Sequence, residues 1–295
     1  MTRRFPFCLS YRRRLIMKLI LLFCFLTVIY QYSQCTDLTR VSNIDVNQKS
    51  LKLPYSQLLK EKRSTVDKKL APYNAKLGVA SSNVPAYSNG NDSYYSHQDS
   101  YLYGVYMGLK WQCVEYARRW TFLRKSSVFE SINGANDMWT QLKYVERVID
   151  KQKFPLKHHP NGSPTPPVNE SILIYPINKY APYGHVAIIV DVLPNAIRIA
   201  EQNYYFHYWT HNYSREIPVV YKNGSYYIQD TSEVYGWIEI DDNKQLKPLD
   251  VLAATKIQMK NQQITDVLSI CSHINFHIYL FILFLCLCFG YLMFY

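Results

Sequence analysis

The sequence predicts an α+β fold, because helical and strand-like patterns occupy separate parts of the chain. Apolar residues recur at helical spacing over Cys113–Arg124, and a second helix is predicted over Ala135–Lys151. From Ser171 onward the pattern changes to short apolar runs that are typical of strands. These runs are Ile172–Ile177, His185–Leu193, Ala196–Asn203, Val219–Tyr221, Tyr226–Gln229 and Trp237–Ile240. We therefore expect helices followed by an antiparallel sheet.

The predicted first helix has an apolar side on which Val114, Ala117 and Thr121 follow the spacing i, i+3, i+7. Two other segments predict loops. Tyr87–Tyr106 is rich in Tyr, Ser, Asn and Asp, and His158–Pro167 is dense in proline.

The run His185–Leu193 and the run that follows it predict a β-hairpin. If residues 193–195 form its loop, Val192 pairs with Ala196 and His185 lies opposite Asn203. Glu201 then shares the face of His185 and lies diagonal to it. A register shift of one residue would move both partners to the other face.

Cys113 is the only one of the 7 cysteines between Cys35 and Cys271, so it belongs to no disulfide framework. It is either a small buried hydrophobe or a nucleophile. The first turn of a helix favours a thiolate through the helix dipole. A distant His and a carboxylate or amide, here His185 with Glu201 or Asn203, are the partners a thiol amidohydrolase needs. No cofactor and no metal are expected.

The ends of the chain predict entry into the secretory pathway. We expect a signal peptide or signal anchor over residues 1–35, a polar linker over 36–69 and the working domain over 70–241. A juxtamembrane segment at 242–272 and a hydrophobic anchor at 273–295, either a transmembrane helix or a GPI signal, are expected to follow. The domain is then membrane-tethered and extracellular or lumenal. Translation can start at Met1 or at Met17.

Five Asn-X-Ser patterns suggest glycosylation of the domain. The acceptors are Asn91, Asn161, Asn169, Asn212 and Asn223, of which Asn161 is the poorest because Pro164 follows its serine. The net charge of +11 lies partly in the N-terminal segment. No nucleic-acid partner is expected, because the basic segment Leu51–Lys76 contains no nucleic-acid-binding motif.

Four motifs, in order, resemble the CHAP family of cysteine, histidine-dependent amidohydrolases and peptidases. They are Y-M-G-L-K-W-Q-C-V-E-Y-A-R-R-W, P-N-G-S-P-T-P-P-V, G-H-V-A-I-I and I-R-I-A-E-Q-N. Within that family they are most similar to the amidase domains of glutathionylspermidine and trypanothione synthetases. The resemblance implies a papain-like fold, in which a helix with an N-terminal Cys packs on an antiparallel sheet. It also implies Cys113 as nucleophile, His185 as general base and Glu201 as the residue that orients it.

The resemblance further implies substrate contacts from Trp111, Gln112, Val114, Arg118 and Asn203. The segment Ser131–Asn136 is longer than the family's substrate-contacting loop. The expected activity is hydrolysis of an amide through a cysteinyl thioester, as in glutathionylspermidine amidases, with a small amide or peptide as substrate. An extracytoplasmic peptidoglycan endopeptidase or amidase, and an inactive surface binding module, remain as alternatives.

Overall fold

A computed structural model describes residues 70–91 and 94–292. The predicted signal segment at 1–35 and the linker at 36–69 lie outside these residues. The described part contains a nine-stranded sheet in which neighbouring strands pair antiparallel. Two small hairpins precede it. The α+β class predicted from the sequence is confirmed.

The described helices are α1 (Cys113–Lys125), α2 (Ala135–Gln141) and α3 (Val251–Leu292). The strands before α2 are β1 (Lys76–Val79), β2 (Pro85–Tyr87), β3 (Asp99–Leu102), β4 (Val105–Leu109) and β5 (Ser127–Val128). The strands after α2 are β6 (Tyr144–Arg147), β7 (Lys153–Pro160), β8 (Ile172–Tyr175), β9 (His185–Leu193), β10 (Ala196–Glu201), β11 (Arg215–Lys222), β12 (Ser225–Ile228) and β13 (Gly236–Ile240). The nine-stranded sheet has the order β12-β11-β10-β9-β8-β13-β7-β6-β5, and the two hairpins are β1-β2 and β3-β4.

Helix α1 packs on the centre of the sheet. Its fully buried Ala117 and Trp120 share one core cluster with Val186 and Ile188 of β9. Residues of the opposite sheet face, among them Ala187, form a second cluster. Because both faces of β9 are covered, its first six residues are all buried, and the strand reads as a continuous apolar run rather than an alternating one.

The predicted helix over Ala135–Lys151 is wrong in its second half. Helix α2 ends at Gln141, and Tyr144–Arg147 forms β6, in which Val145 pairs with Phe154 of β7. Val145 is buried between half-buried neighbours, which is a strand-like alternation. Pairing with β7 overrides the helical pattern that continued from α2.

Both predicted loops also contain strands. The segment His158–Pro167 begins with the end of β7, where His159 pairs with Trp237 of β13. The prolines follow this pairing or stand at its last position, Pro160, where a strand tolerates them. The segment Tyr87–Tyr106 contains β3 and the start of β4, because a tyrosine-rich polar sequence suits a half-exposed hairpin.

The register of the β9–β10 hairpin differs from the prediction at the turn and agrees with it farther along. Leu193 pairs with Ala196, so the turn holds two residues and not three. A β-bulge in β9, at Val190, then shifts the pairing by one residue and sets Glu201 opposite Ala187. The shorter turn and the bulge shift the register by one residue in opposite directions. Glu201 therefore lies diagonal to His185, as predicted.

Helix α3 begins within the predicted juxtamembrane segment and continues into the predicted anchor at 273–295. Among the described residues, no helix combines the length and the apolar character that crossing a bilayer requires. The prediction of a membrane-spanning helix at 273–295 is therefore not supported. Residues 293–295 lie outside the described part.

Candidate active site

Cys113 is the first residue of α1, and its thiol is free and partly exposed. Gln112 precedes it in an extended conformation and caps the helix without a side-chain hydrogen bond. The first N–H groups of a helix have no partner within the helix. The sulfur therefore stands beside backbone donors and the positive end of the helix dipole.

His185 is the first residue of β9, and Gly184 allows the chain to enter the strand at this point. Gly184 has φ +71°, a conformation that favours glycine. A Cβ on Gly184 would lie 2.7 Å from the carbonyl oxygen of Tyr175 and 2.8 Å from the backbone nitrogen of Asn136. The glycine therefore lets α2 and β8 close around the turn that places the imidazole.

The imidazole of His185 lies between a thiol and a carboxylate. Nε2 is 2.9 Å from Oε2 of Glu201, and the ring also hydrogen-bonds with the Cys113 side chain, which leaves Nδ1 for the sulfur. Burial by itself lowers the pKa of His185, but the hydrogen bonds and charges of Cys113 and Glu201 outweigh it and raise the pKa to about 9. The arrangement thus favours an imidazolium.

Glu201 is 2 % exposed and accepts hydrogen bonds on both oxygens. Ser214 Oγ donates to Oε1 at 3.0 Å, and Arg215 donates to Oε1 at 2.7 Å and to Oε2 at 3.1 Å. A buried carboxylate stays ionised only with such partners. Arg215 is not among the site residues predicted from the sequence.

A second buried network joins the start of α1 to the end of β10. Glu115 is fully buried and accepts hydrogen bonds from Ser100, Arg119 and Gln202. Gln202 Nε2 also donates to the backbone oxygen of Gln112 at 3.2 Å. Because Gln112 precedes Cys113 and Gln202 follows Glu201, this network holds the start of α1 against the end of β10.

The sequence left open whether Glu201 or Asn203 orients His185, and the structure gives these two residues different partners. Its Nδ2 donates to Oε1 of Gln112 at 2.7 Å, whereas the imidazole of His185 meets Glu201. Asn203 therefore holds the side chain that precedes Cys113.

The other residues expected to contact substrate, Trp111, Val114 and Arg118, each have different neighbours. Trp111 Nε1 donates to Asn74, and its ring lies 4.4 Å from that of Tyr87. Val114 packs against the core. Arg118 is 9 % exposed, and in the described part of the chain its Nε has no hydrogen-bond partner. Burial lowers the pKa of Arg118 to about 10.

Exchange of Gly184 for alanine tests the turn before His185. We expect Gly184→Ala to lower stability by about 1–3 kcal/mol and kcat by about tenfold or more, because both φ and the added Cβ force the backbone to move. Gly224→Ala is the control, since Gly224 has φ +77° but no described atom within 4 Å of the added Cβ. Chemical denaturation and kinetics compare the two, and equal loss of kcat would contradict this role.

The ionised state of Glu201 predicts a stability that depends on pH. Burial raises the pKa of Glu201, but the charge of Arg215 and the hydrogen bond and charge of His185 outweigh burial and lower the pKa from 4.5 to about 2. The resulting stabilisation is present above pH 4.5 and is lost as the pH falls through about 2.

Between these pH values, the free energy of unfolding of the wild type is expected to fall by roughly 3 kcal/mol more than that of Glu201→Gln. Urea unfolding of both proteins at matched pH measures the difference. Parallel pH curves would show that the carboxyl is not held ionised.

Parts of the chain are similar in sequence to known proteins. Residues 104–203 match the family model of the CHAP domain. Trypanothione synthetase from Crithidia fasciculata is 35% identical over 159 residues, which cover 54% of this chain and 24% of the relative. The bifunctional glutathionylspermidine synthetase/amidase of Escherichia coli (strain K12) is 34% identical over 214 residues, 66% of this chain and 34% of the relative. This chain thus spans about a quarter to a third of the length of these relatives.

A solved structure described as "The crystal structure of Ly7917" aligns with a TM-score of 0.26 and 14% identity, covering 44% of this chain and 53% of that chain. This likeness is too low to carry an argument. The family model spans Cys113, His185 and Glu201. Helix α1, with its N-terminal cysteine packed on an antiparallel sheet, is the papain-like arrangement expected of that family. Residues 104–203 of this chain therefore match the CHAP domain both in sequence and in the arrangement of these elements.

Proposed function

We propose that the chain is a thiol amidohydrolase that cleaves an amide through a thioester on Cys113. The observation that carries the proposal is the hydrogen-bonded chain from Cys113 through His185 to Glu201 at the N-terminus of α1. The similarity to amidase relatives supports hydrolysis of an amide bond. A thiol held against an imidazolium is a nucleophile, whereas a thiol packed among apolar side chains is inert.

The proton path follows from the two ring nitrogens of His185. The imidazole holds the proton of Cys113, the sulfur attacks the amide carbon, and the imidazolium gives the proton to the leaving amine. A water molecule then attacks the thioester, with His185 taking its proton, and the acid leaves with Cys113 restored. Glu201 keeps Nε2 occupied throughout, so Nδ1 faces the reaction.

The oxyanion of the tetrahedral intermediate is proposed to lie at the start of α1. The free backbone N–H groups of the first turn are donors there. Gln112 supplies the second donor in this proposal. Because Asn203 Nδ2 binds Oε1 of Gln112, the Nε2 group of that side chain is left to donate elsewhere.

The proposed substrate resembles glutathionylspermidine. Two relatives carry glutathionylspermidine or trypanothione in their names. Arg118 supports an anionic substrate group, because it is a buried guanidinium whose Nε lacks a partner in the described part of the chain. A group with a carboxylate would satisfy that donor.

The purified chain is to be incubated with glutathionylspermidine and, separately, with a peptidoglycan stem peptide. Release of spermidine, dependent on Cys113, is the expected result. Cleavage of the stem peptide alone would indicate that the substrate is peptidoglycan and not glutathionylspermidine. No cleavage of either, together with a Cys113 that does not react with iodoacetamide, would indicate a binding module.

We also propose that the domain is extracellular or lumenal. Support comes from the basic and apolar N-terminal sequence and from four exposed sequon asparagines, which are Asn91, Asn169, Asn212 and Asn223. Asn161 differs, because its side-chain amide exchanges hydrogen bonds with the backbone of Ile228.

Endoglycosidase treatment of the protein from its own cells should shift its gel mobility. Exchange of the four exposed asparagines for Gln should remove the shift, whereas Asn161→Gln should leave it. An unglycosylated protein would overturn the proposal.

A further inference from the structure

Arg215, at the start of β11, binds two buried carboxylates, those of Glu201 and Asp230. Its Nε and Nη2 bind the two oxygens of Glu201 at 2.7 and 3.1 Å. Its Nη1 binds both oxygens of Asp230 at 2.9 and 2.8 Å. The guanidinium therefore bridges two carboxylates, of which one holds the histidine and the other lies farther from it.

Two aromatic residues enclose this bridge. The hydroxyl of Tyr175 donates to Asp230 at 2.8 Å and lies 3.3 Å from Nη2 of Arg215. The ring of Tyr204 lies 4.5 Å from the guanidinium carbon and 4.7 Å from the imidazole of His185. The side chains of Glu201 and Asp230 are only 2 % and 5 % exposed. Water is thus largely excluded from the pair, and Coulomb interactions within it are strong.

We propose that Arg215 is a positioning residue for amide hydrolysis, which keeps Glu201 ionised and aligned on His185 while Asp230 keeps Arg215 in place. The inference rests on the proposed function, because it assigns a role within the same reaction. It extends the hydrogen-bonded chain of the site by two residues, from Cys113, His185 and Glu201 to Arg215 and Asp230.

The physical reason is that a buried carboxylate without a cation becomes protonated. Protonated Glu201 would carry no charge to stabilise the imidazolium, and one of its two oxygens would be a hydroxyl donor instead of an acceptor. The groups that face Glu201 from the neighbouring elements are His185, Arg215, Asp230, Tyr116, Tyr175, Tyr204 and Tyr205. Arg215 is the only permanent cation in this set.

The test compares Arg215→Met, which removes the charge, with Arg215→Lys, which keeps the charge but not the two-pronged geometry. For Arg215→Met, we expect the acid-side midpoint of the kcat/KM profile to rise by at least about 1 pH unit and kcat to fall about 10- to 100-fold. The KM is expected to stay within about twofold. For Arg215→Lys, kcat should fall several-fold with the midpoint unchanged.

Arg198→Met is the matched control, because Arg198 pairs with Glu216 at the surface of the same sheet. It should leave both the midpoint and kcat at wild-type values. A purely structural role for Arg215 would lower activity equally at every pH. An Arg215→Met protein with the wild-type midpoint and kcat would overturn the proposal.

If circular dichroism shows that Arg215→Met does not fold, Arg215→Lys decides the question. A lower kcat at unchanged KM supports positioning, and wild-type kinetics overturn it. The rate of Cys113 alkylation by iodoacetamide against pH, followed by mass spectrometry of its peptide, gives the same midpoint without a substrate. A wild type that cleaves no amide but keeps a reactive Cys113 thus fails only the proposed function, while the midpoint still tests Arg215.

Discussion

Replacement of Cys113 by alanine is expected to abolish amide hydrolysis and to leave the fold intact. The methyl group cannot attack the amide carbon, so no thioester forms, and we expect kcat to fall by at least about 10³-fold. Only one sulfur is lost from a partly exposed position at the edge of the core. The cost to stability is therefore expected to be about 1 kcal/mol.

Cys113→Ser separates the thiol from the shape of the side chain. Its hydroxyl keeps the volume and the hydrogen-bonding position but remains protonated near neutral pH, so it should be nearly as inactive as the alanine variant. Thermal unfolding and circular dichroism check the fold of both proteins. Turnover in Cys113→Ala at more than a few per cent of the wild-type rate would show that another group carries the chemistry.

The sequence was sufficient to predict the elements that place these residues. The start of α1 at Cys113 and the bounds of β9 follow from apolar periodicity, and the structure has them where the pattern puts them. The diagonal placement of Glu201 agrees for a less direct reason. The predicted turn was one residue too long, and the bulge in β9, which no local pattern indicates, compensates for it.

The partners that stabilise the site could not be predicted in the same way. Glu115 and Arg119 stand at i and i+4 on one helix, a spacing that favours an ion pair, although none was predicted from the sequence. The contact of Arg215 with Glu201 was not visible, because it depends on the pairing of β10 with β11 across an irregular connection. The helix predicted beyond Gln141 failed for a similar reason, since β6 exists through its pairing with β7.

Glu201→Gln is expected to lower kcat by about 10²-fold or more and to change KM by less than about threefold. The amide keeps the shape of the side chain but carries no charge. It therefore stabilises the imidazolium of His185 less, and this loss falls on the transition state rather than on substrate binding. The pKa of His185, raised to about 9 in part by Glu201, should fall in this variant.

The comparison with Asn203→Ala decides which residue orients the imidazole. Asn203 contacts Gln112, so its loss should disturb the oxyanion donors and cost about tenfold in kcat, less than the loss of the Glu201 charge. Only Glu201→Gln should shift the His185 titration, which NMR of the imidazole protons can follow. If Asn203→Ala proves the more damaging in kcat while Glu201→Gln stays near wild type, then the carboxylate at 2.9 Å from Nε2 is a structural contact and Asn203 is the orienting residue.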